Sequence, residues 1–262
     1  MTVINEADKL YLGAQAVDRV YAGANLIWPV LPTFKPTDFP GLKIWLNASQ
    51  LGLSAGADVS PWPNLAAGAT GTMVGTPVPK MSTNSLNNLP LVRFTVSEGR
   101  MRMTGIGVDK AFTLVSVTRM VPGGYSNGRI LTAAYAPTNF LIGFWNGFED
   151  VGYTTTGGFF MPDVRKSVTT NWRLYSADAA APPNFFPRMF NNGVLLSSGG
   201  GPGGGAGGED SFSGTFNLSG YDPSSTSETC DCEVAEVVLY DNKLADADRQ
   251  QVEAYLRTKW GL

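Results

Sequence analysis

Ala111-Phe112-Thr113-Leu114-Val115-Ser116-Val117-Thr118 decides the fold class. Its large apolar side chains fall on both parities, Phe112 and Leu114 on one, Val115 and Val117 on the other. Successive side chains of an extended chain point to opposite faces, so this segment predicts a strand covered on both sides. Working outward, short apolar runs recur between turn formers at 42–46, 89–96, 100–103, 129–134, 140–144, 172–175, 188–190, 194–196, 212–218 and 232–240. Asn191-Asn192-Gly193 is a strong hairpin turn between two of them. About a dozen strands at near-regular spacing, without helical periodicity, predict an antiparallel sandwich or barrel. One helix closes the chain over 245–258. It carries Val252, Tyr255, Leu256 and Lys259 on one face and Asp246 and Asp248 in the first turn, where they suit the helix dipole. Gly261 stops it.

Composition agrees. Charged residues are 16% of 262, below the usual ~25%, and 31 Gly and 17 Pro supply turns. A net charge of −3 with scattered Lys and Arg gives no nucleic-acid surface. Histidine is absent, which excludes Ser-His-Asp and Cys-His catalysis and the commonest transition-metal ligand. Cys230 and Cys232 on one strand would lie roughly 7 Å apart, beyond disulfide reach. They are read as two small buried thiols, too few for a zinc site. The first 30 residues hold Asp8, Lys9, Asp18 and Arg19 and no apolar core, so no secretory signal is expected. No apolar run reaches the roughly 18 residues of a membrane-spanning helix, so no membrane insertion is expected.

The start of the chain says nearly the same thing twice. Asp8-Lys9-Leu10-Tyr11-Leu12-Gly13-Ala14-Gln15-Ala16-Val17 is followed by Asp18-Arg19-Val20-Tyr21-Ala22-Gly23-Ala24-Asn25-Leu26-Ile27. Ten residues suit one strand and one tight turn with Gly at the bend. Two copies closed by Trp28-Pro29 predict a three-stranded ribbon. At roughly 25 residues it is too small to fold alone, so it is a candidate docking piece, with Leu10, Tyr11, Val20, Tyr21, Ile27 and Trp28 as contact residues. Pro29, Pro32, Pro36 and Pro40 then predict a stiff extended linker. The expected organisation is a β-ribbon at 1–31, a Pro-rich linker at 32–39 and the main domain at 40–262.

The end of the chain carries a resemblance. The strand 232–241, ending in Tyr240-Asp241, leads through Asn242-Lys243-Leu244 into an acidic helix start and the close Lys259-Trp260-Gly261-Leu262. This resembles the last strand and terminal helix of concanavalin A-like (LamG-like) jelly-roll domains. The stretch 40–49 looks like their first strand, and Trp62 lies where the family often has a Trp. The resemblance implies a mainly β fold: an antiparallel jelly-roll sandwich with one C-terminal helix, preceded by the small ribbon. Ala235 and Asn47 stand where acids would support calcium, so no cofactor or metal is expected. The ribbon, with its Leu-Tyr-x-Gly and aliphatic-Trp-Pro elements, resembles N-terminal pieces of tailed-bacteriophage virion proteins, most of all minor tail proteins.

Glucanases of this fold class place paired carboxylates on one strand about 5–5.5 Å apart. The chain has no such string. Asp231 and Glu233 share a face, Glu236 points the other way, and the adjacent Glu149 and Asp150 diverge. The three acids of the last strand are expected to be solvated at a sheet edge and paired with strand neighbours. A saccharide site suits the stretch 144–153 better: Trp145 and Phe148 offer ring faces, and Asn146, Asp150 and Tyr153 offer polar groups. Its plainer reading makes Trp145 and Phe148 core residues flanking a hairpin turn. Phe159-Phe160 and Phe185-Phe186 should each turn one ring outward, toward another subunit or a ligand. The glycine-rich stretch 197–208 lacks the Lys of a phosphate loop and is expected to be a surface loop.

The expectation is therefore a non-enzymatic phage virion protein, on the tail rather than the capsid. Its partners would be other virion subunits, further copies of itself and a cell-surface polysaccharide. A capsid decoration or cement protein and a glycan-cleaving enzyme are the alternatives.

Overall fold

The structure, a computed structural model, describes residues 10–12, 15–17, 20–22, 25–28, 34–67, 72, 74–75, 78–97, 99–108, 111–135, 138–154, 158–159, 166–180, 187–198, 215–221 and 228–262. In chain order the elements are β1 (Leu10–Leu12), β2 (Gln15–Val17), β3 (Val20–Ala22), β4 (Asn25–Trp28), β5 (Leu42–Asn47), β6 (Val74–Gly75) and β7 (Lys80–Leu86). Then come β8 (Leu89–Phe94), β9 (Met101–Thr104), β10 (Phe112–Met120), β11 (Leu131–Tyr135), β12 (Thr138–Trp145), β13 (Phe148–Thr154) and β14 (Gly158–Phe159). Last are β15 (Lys166–Ser167), β16 (Arg173–Ala179), β17 (Arg188–Asn191), β18 (Val194–Ser198), β19 (Thr215–Leu218), β20 (Cys232–Tyr240) and α1 (Asp246–Trp260).

Two eight-stranded antiparallel sheets form a sandwich. The first runs β18-β17-β16-β10-β20-β8-β7, with β5 also on β20; the second runs β14-β13-β12-β11-β19-β9-β6, with β15 on β13. β10 is buried on both faces, as its apolar pattern predicts. Phe112 meets Phe140 of the second sheet, ring centroids 5.1 Å apart. On the opposite face Thr113 donates to the Asn242 carbonyl at 3.0 Å and accepts the Leu244 N–H at 2.9 Å, fixing the approach to α1. The helix lies on this outer face, with Val252, Leu256 and Trp260 buried. It ends at Gly261, whose φ of 71° is the left-handed cap glycine favours. Asn192 and Gly193, both at positive φ, form the expected hairpin turn. Trp62, Cys230 and Cys232 are core residues, and both thiols are free. No helix among the described residues is long and apolar enough to cross a membrane.

The N-terminal repeats differ from the three-stranded ribbon. β1 pairs with β2 and β3 with β4, giving two separate two-stranded hairpins. Each ten-residue copy supplies two strands, because Leu12 pairs with Gln15 and Ala22 with Asn25, with only two residues between the strands of each copy. The contacts of Leu10, Tyr11, Val20, Tyr21, Ile27 and Trp28 lie outside the described residues, as do those of Phe159 and the placement of Phe160, Phe185, Phe186 and residues 199–208.

The Pro-rich stretch also differs. From Phe34 on it is part of the folded body: Phe34 packs on Phe39 (5.1 Å) and Tyr255 (6.0 Å), and Tyr240 donates its hydroxyl to the carbonyl of buried Pro36 at 2.8 Å. Proline spacing predicts stiffness, but the two phenylalanines among the prolines gain from burial and hold the segment down.

Candidate functional site

The last strand sets the geometry. β20 is central, flanked by β10 on one side and by β5 and β8 on the other, so its acids are not at an edge. Nor do Glu233 and Glu236 point opposite ways. Val117 pairs with Glu236 and Thr118 with Val234, which leaves Ala235 as the extra residue of a β-bulge. Arg119 pairs with Glu233, and residues 117 and 119 share a face, so both glutamates stand on the outer face. Counting by two along the sequence cannot see this.

Glu236 is sealed under α1. It accepts Trp45 Nε1 at 2.7 Å, Trp260 Nε1 at 2.9 Å, Lys259 Nζ at 2.5 Å and the Tyr255 hydroxyl at 3.1 Å. The Lys-Trp ending of the chain is thus a clamp on one buried carboxylate. Burial pushes the Tyr255 hydroxyl well up, and the neighbouring Glu236 adds to it.

Glu233 lines an open pocket of about 230 Å³ together with Lys80, Ser82, Asn84 and Arg93. Its Oε1 accepts Ser82 Oγ at 2.5 Å and Asn84 Nδ2 at 2.8 Å, and its Oε2 accepts Arg119 Nε at 2.8 Å. Burial alone would raise its pKa; the hydrogen bonds from Ser82, Asn84 and Arg119 outweigh that and hold it below the usual glutamate value. A charged row crosses four strands here. Arg119, Glu233, Arg93 and Lys80 are successive paired positions of β10, β20, β8 and β7, and Lys80 reaches Asp58 at 2.7 Å. Arg119 also covers the Trp172 ring at 4.9 Å from its centroid.

Beside this row, one end of the sandwich gathers the β8–β9, β10–β11, β12–β13 and β19–β20 connections. Asp231 ties three of them: its Oδ1 accepts the Val96 N–H at 3.0 Å and its Oδ2 the Tyr125 N–H at 2.6 Å. The β12–β13 turn is Asn146-Gly147, at φ 51° and 77°. Its N–H groups donate to the carbonyls of Asn127 and Ser126, both at 3.2 Å. Trp145 is half-buried and donates Nε1 to Glu228 at 3.2 Å. Asn146 is exposed, Phe148 is half-buried, and the Tyr125 side chain is 49% exposed.

The five expected saccharide contacts therefore separate. Trp145, Asn146 and Phe148 flank the turn at this end. Asp150 faces inward, occupying a bulge at φ 62°, and is held by the Tyr175 hydroxyl (2.9 Å), Asn191 (2.9 Å) and Lys166 (2.8 Å). With the Arg173–Glu149 pair at 2.6 Å it joins the two sheets. Tyr153 is half-buried further along β13. The sequence reading missed Tyr125, Arg93, Arg119, Ser82 and Asn84, because cross-strand register brings them together. Asn47 caps the next turn by accepting the Ser49 N–H at 3.0 Å.

No protein-family model matches the chain, and no curated protein matches it in sequence. Solved structures do match its fold. Domain 4 of AbnA, a GH43 extracellular arabinanase from Geobacillus stearothermophilus in complex with arabinotriose, aligns with a TM-score of 0.53 at 12% identity, over 81% of this chain and 98% of that one. The binding domain of Paraclostridial Mosquitocidal Protein 1 aligns at 0.51 with 12% identity, over 84% of this chain and 52% of that one. A Trypanosoma rangeli sialidase aligns at 0.50 with 13% identity, over 85% of this chain and 34% of that one, so this chain spans about a third of the sialidase. These likenesses establish the β-sandwich fold.

Proposed function

We propose that this chain is a non-enzymatic glycan-binding protein of a bacteriophage virion, a minor tail or tail-tip component that contacts a host-surface polysaccharide. The observation that carries the binding half is the loop end. Tyr125, Trp145 and Asn146 stand there on a turn fixed by backbone hydrogen bonds and the Asp231 clip. Rings beside amides suit the apolar faces and hydroxyls of sugars, and a fixed platform lowers the ordering cost of binding. Against catalysis stands the state of the two outer-face glutamates, one sealed beneath a helix and the other with both oxygens engaged. The virion half rests on the resemblance of the duplicated N-terminal segment to phage tail proteins.

The test is binding of the chain to host cell-wall polysaccharide. Tyr125→Ala and Trp145→Phe should each weaken it roughly tenfold, a loss of about 1.4 kcal/mol per site. Lack of binding to any host polysaccharide by the unaltered chain would overturn the adsorption role and leave a decoration protein. A chain lacking residues 1–31 should fail to enter particles; incorporation at normal levels would remove the hairpins from the docking role. Antibody labelling of the tail rather than the head is the expected location.

A further inference from the structure

We propose that Glu228 is the positioning residue of the loop-end platform: its carboxylate holds the Trp145 ring in the orientation that binds. This rests on the glycan-binding reading and adds to it the group that organises the site. The first observation is an uncommon backbone. Glu228 has φ 57°, in the left-handed region that favours glycine because any other side chain crowds the backbone there. A glutamate at such a point carries strain, so its side chain fills a role that glycine could not. The backbone around it leaves little play. The Glu228 carbonyl accepts the Arg129 N–H at 2.9 Å, and the Arg129 carbonyl accepts the Gly220 N–H at 2.9 Å. A side chain at Gly128 would run into the carbonyl oxygens of Glu228 and Thr229, so the two segments lie backbone against backbone.

The second observation is how the carboxylate is divided. Its Oε2 pairs with Arg129, whose side chain is 4% exposed. Its Oε1 accepts Trp145 Nε1 at 3.2 Å. A carboxylate needed only to neutralise Arg129 would set both oxygens on the guanidinium fork. Here one oxygen goes to an indole of the site instead. A glutamine in the same place would turn an NH2 donor toward either Arg129 or Trp145, so a carboxylate is the group that serves both.

The pair also reaches a second ring. The Arg129 guanidinium lies over Tyr221, 5.0 Å from the ring centroid. Trp145 and Tyr221 are both half-buried, so one ion pair steadies two aromatic side chains that keep part of their surface in solvent. A ring fixed before a sugar arrives spares the ordering cost of binding.

The experiment is a double-substitution cycle on the full chain: Glu228→Gln, Trp145→Phe and both together. Each is titrated by calorimetry with purified host cell-wall polysaccharide, the probe that also tests the glycan reading. The indole N–H signals are followed by NMR, with Trp145→Phe assigning the Trp145 signal by its loss. Glu228→Gln should weaken binding about fivefold, the share of one side chain that the sugar must now order. It should also shift the Trp145 indole signal and speed its exchange with solvent. In the Trp145→Phe background the same substitution should change affinity by less than about twofold, since the N–H it served is gone. Unfolding midpoints should fall alike in the two backgrounds, because the Arg129 pair is weakened in both. An equal loss of affinity in both backgrounds overturns the positioning role and makes Glu228 a support of the fold. A parent chain that binds and is indifferent to Glu228→Gln overturns this role alone. A parent chain that binds no host polysaccharide overturns the glycan reading and this role with it.

Discussion

Glu233 and Glu236 sit three residues apart on the same strand, on the same face and fully buried, yet they serve opposite purposes. Around Glu236 the face is closed. The helix brings Tyr255, Lys259 and Trp260 down onto it, and Trp45 completes the shell from β5. Around Glu233 the face is open, and the partners come from neighbouring strands rather than from a covering element. A buried charge is costly unless its hydrogen bonds are complete. Where a helix completes them the carboxylate fastens the fold; where a sheet completes them the surface above stays available. The bulge at Ala235 places both on one face.

The strongest way to break this comparison is Glu236→Ala. It leaves two indole N–H groups and the Lys259 ammonium buried around an empty site. Removing one partner of a buried ion pair costs about 3–5 kcal/mol, so chemical denaturation should show a loss of that size, with α1 loosened first. A loss below about 1 kcal/mol would mean that water replaces the carboxylate and that the helix is held by its apolar face alone.

Glu233→Gln should cost less, about 1.5–3 kcal/mol, because its partner Arg119 is itself partly exposed to water. Its pH signature separates it further. Glu233 has a lowered pKa in the folded chain. Its contribution is therefore complete above the unfolded glutamate value and is lost as pH falls through the folded one. Stability measured across that acid window should slope upward with pH in the parent chain and flatten in Glu233→Gln. An unchanged slope would show that this carboxylate does not stabilise the fold through its charge.

This contrast also shows what the sequence carries. The helix was legible because its signals are local: Asp246 and Asp248 at the start, Val252 and Leu256 on one face, Gly261 at the end. β10 was legible because apolar residues on both parities have one physical reading. β7 was not, since Lys80-Met81-Ser82-Thr83-Asn84-Ser85-Leu86 is an outer strand with only Met81 and Ser82 buried and lacks an apolar stripe. The candidate site was half legible. Trp145, Asn146 and Phe148 mark a turn by composition, but Asp150 is turned inward by a bulge that no spacing rule reveals. The row from Arg119 to Lys80 depends on which strands become neighbours, and two of its three pairings, Arg119 with Glu233 and Glu233 with Arg93, join residues more than a hundred positions apart.

The gentlest test of the closed half is Gly261→Ala. Gly261 adopts φ 71° and its N–H donates to the Arg257 carbonyl at 2.9 Å, as does that of Leu262 at 3.1 Å. An added Cβ would meet the Asn87 side chain at 3.2 Å, and Asn87 itself donates to the Lys259 carbonyl at 2.8 Å. The left-handed conformation costs an alanine about 1 kcal/mol, and the crowding asks Asn87 to give by a few tenths of an ångström. Lys259 and Trp260 lie immediately before this cap, so the strain should appear at the Glu236 clamp. Hydrogen exchange should rise at the C-terminal turn of α1, with the unfolding free energy lower by about 1 kcal/mol and exchange in β8 beside Glu233 unchanged. A rise in β8 as well would mean that the two halves of the outer face are coupled through β20, against the separation of roles drawn from their geometry.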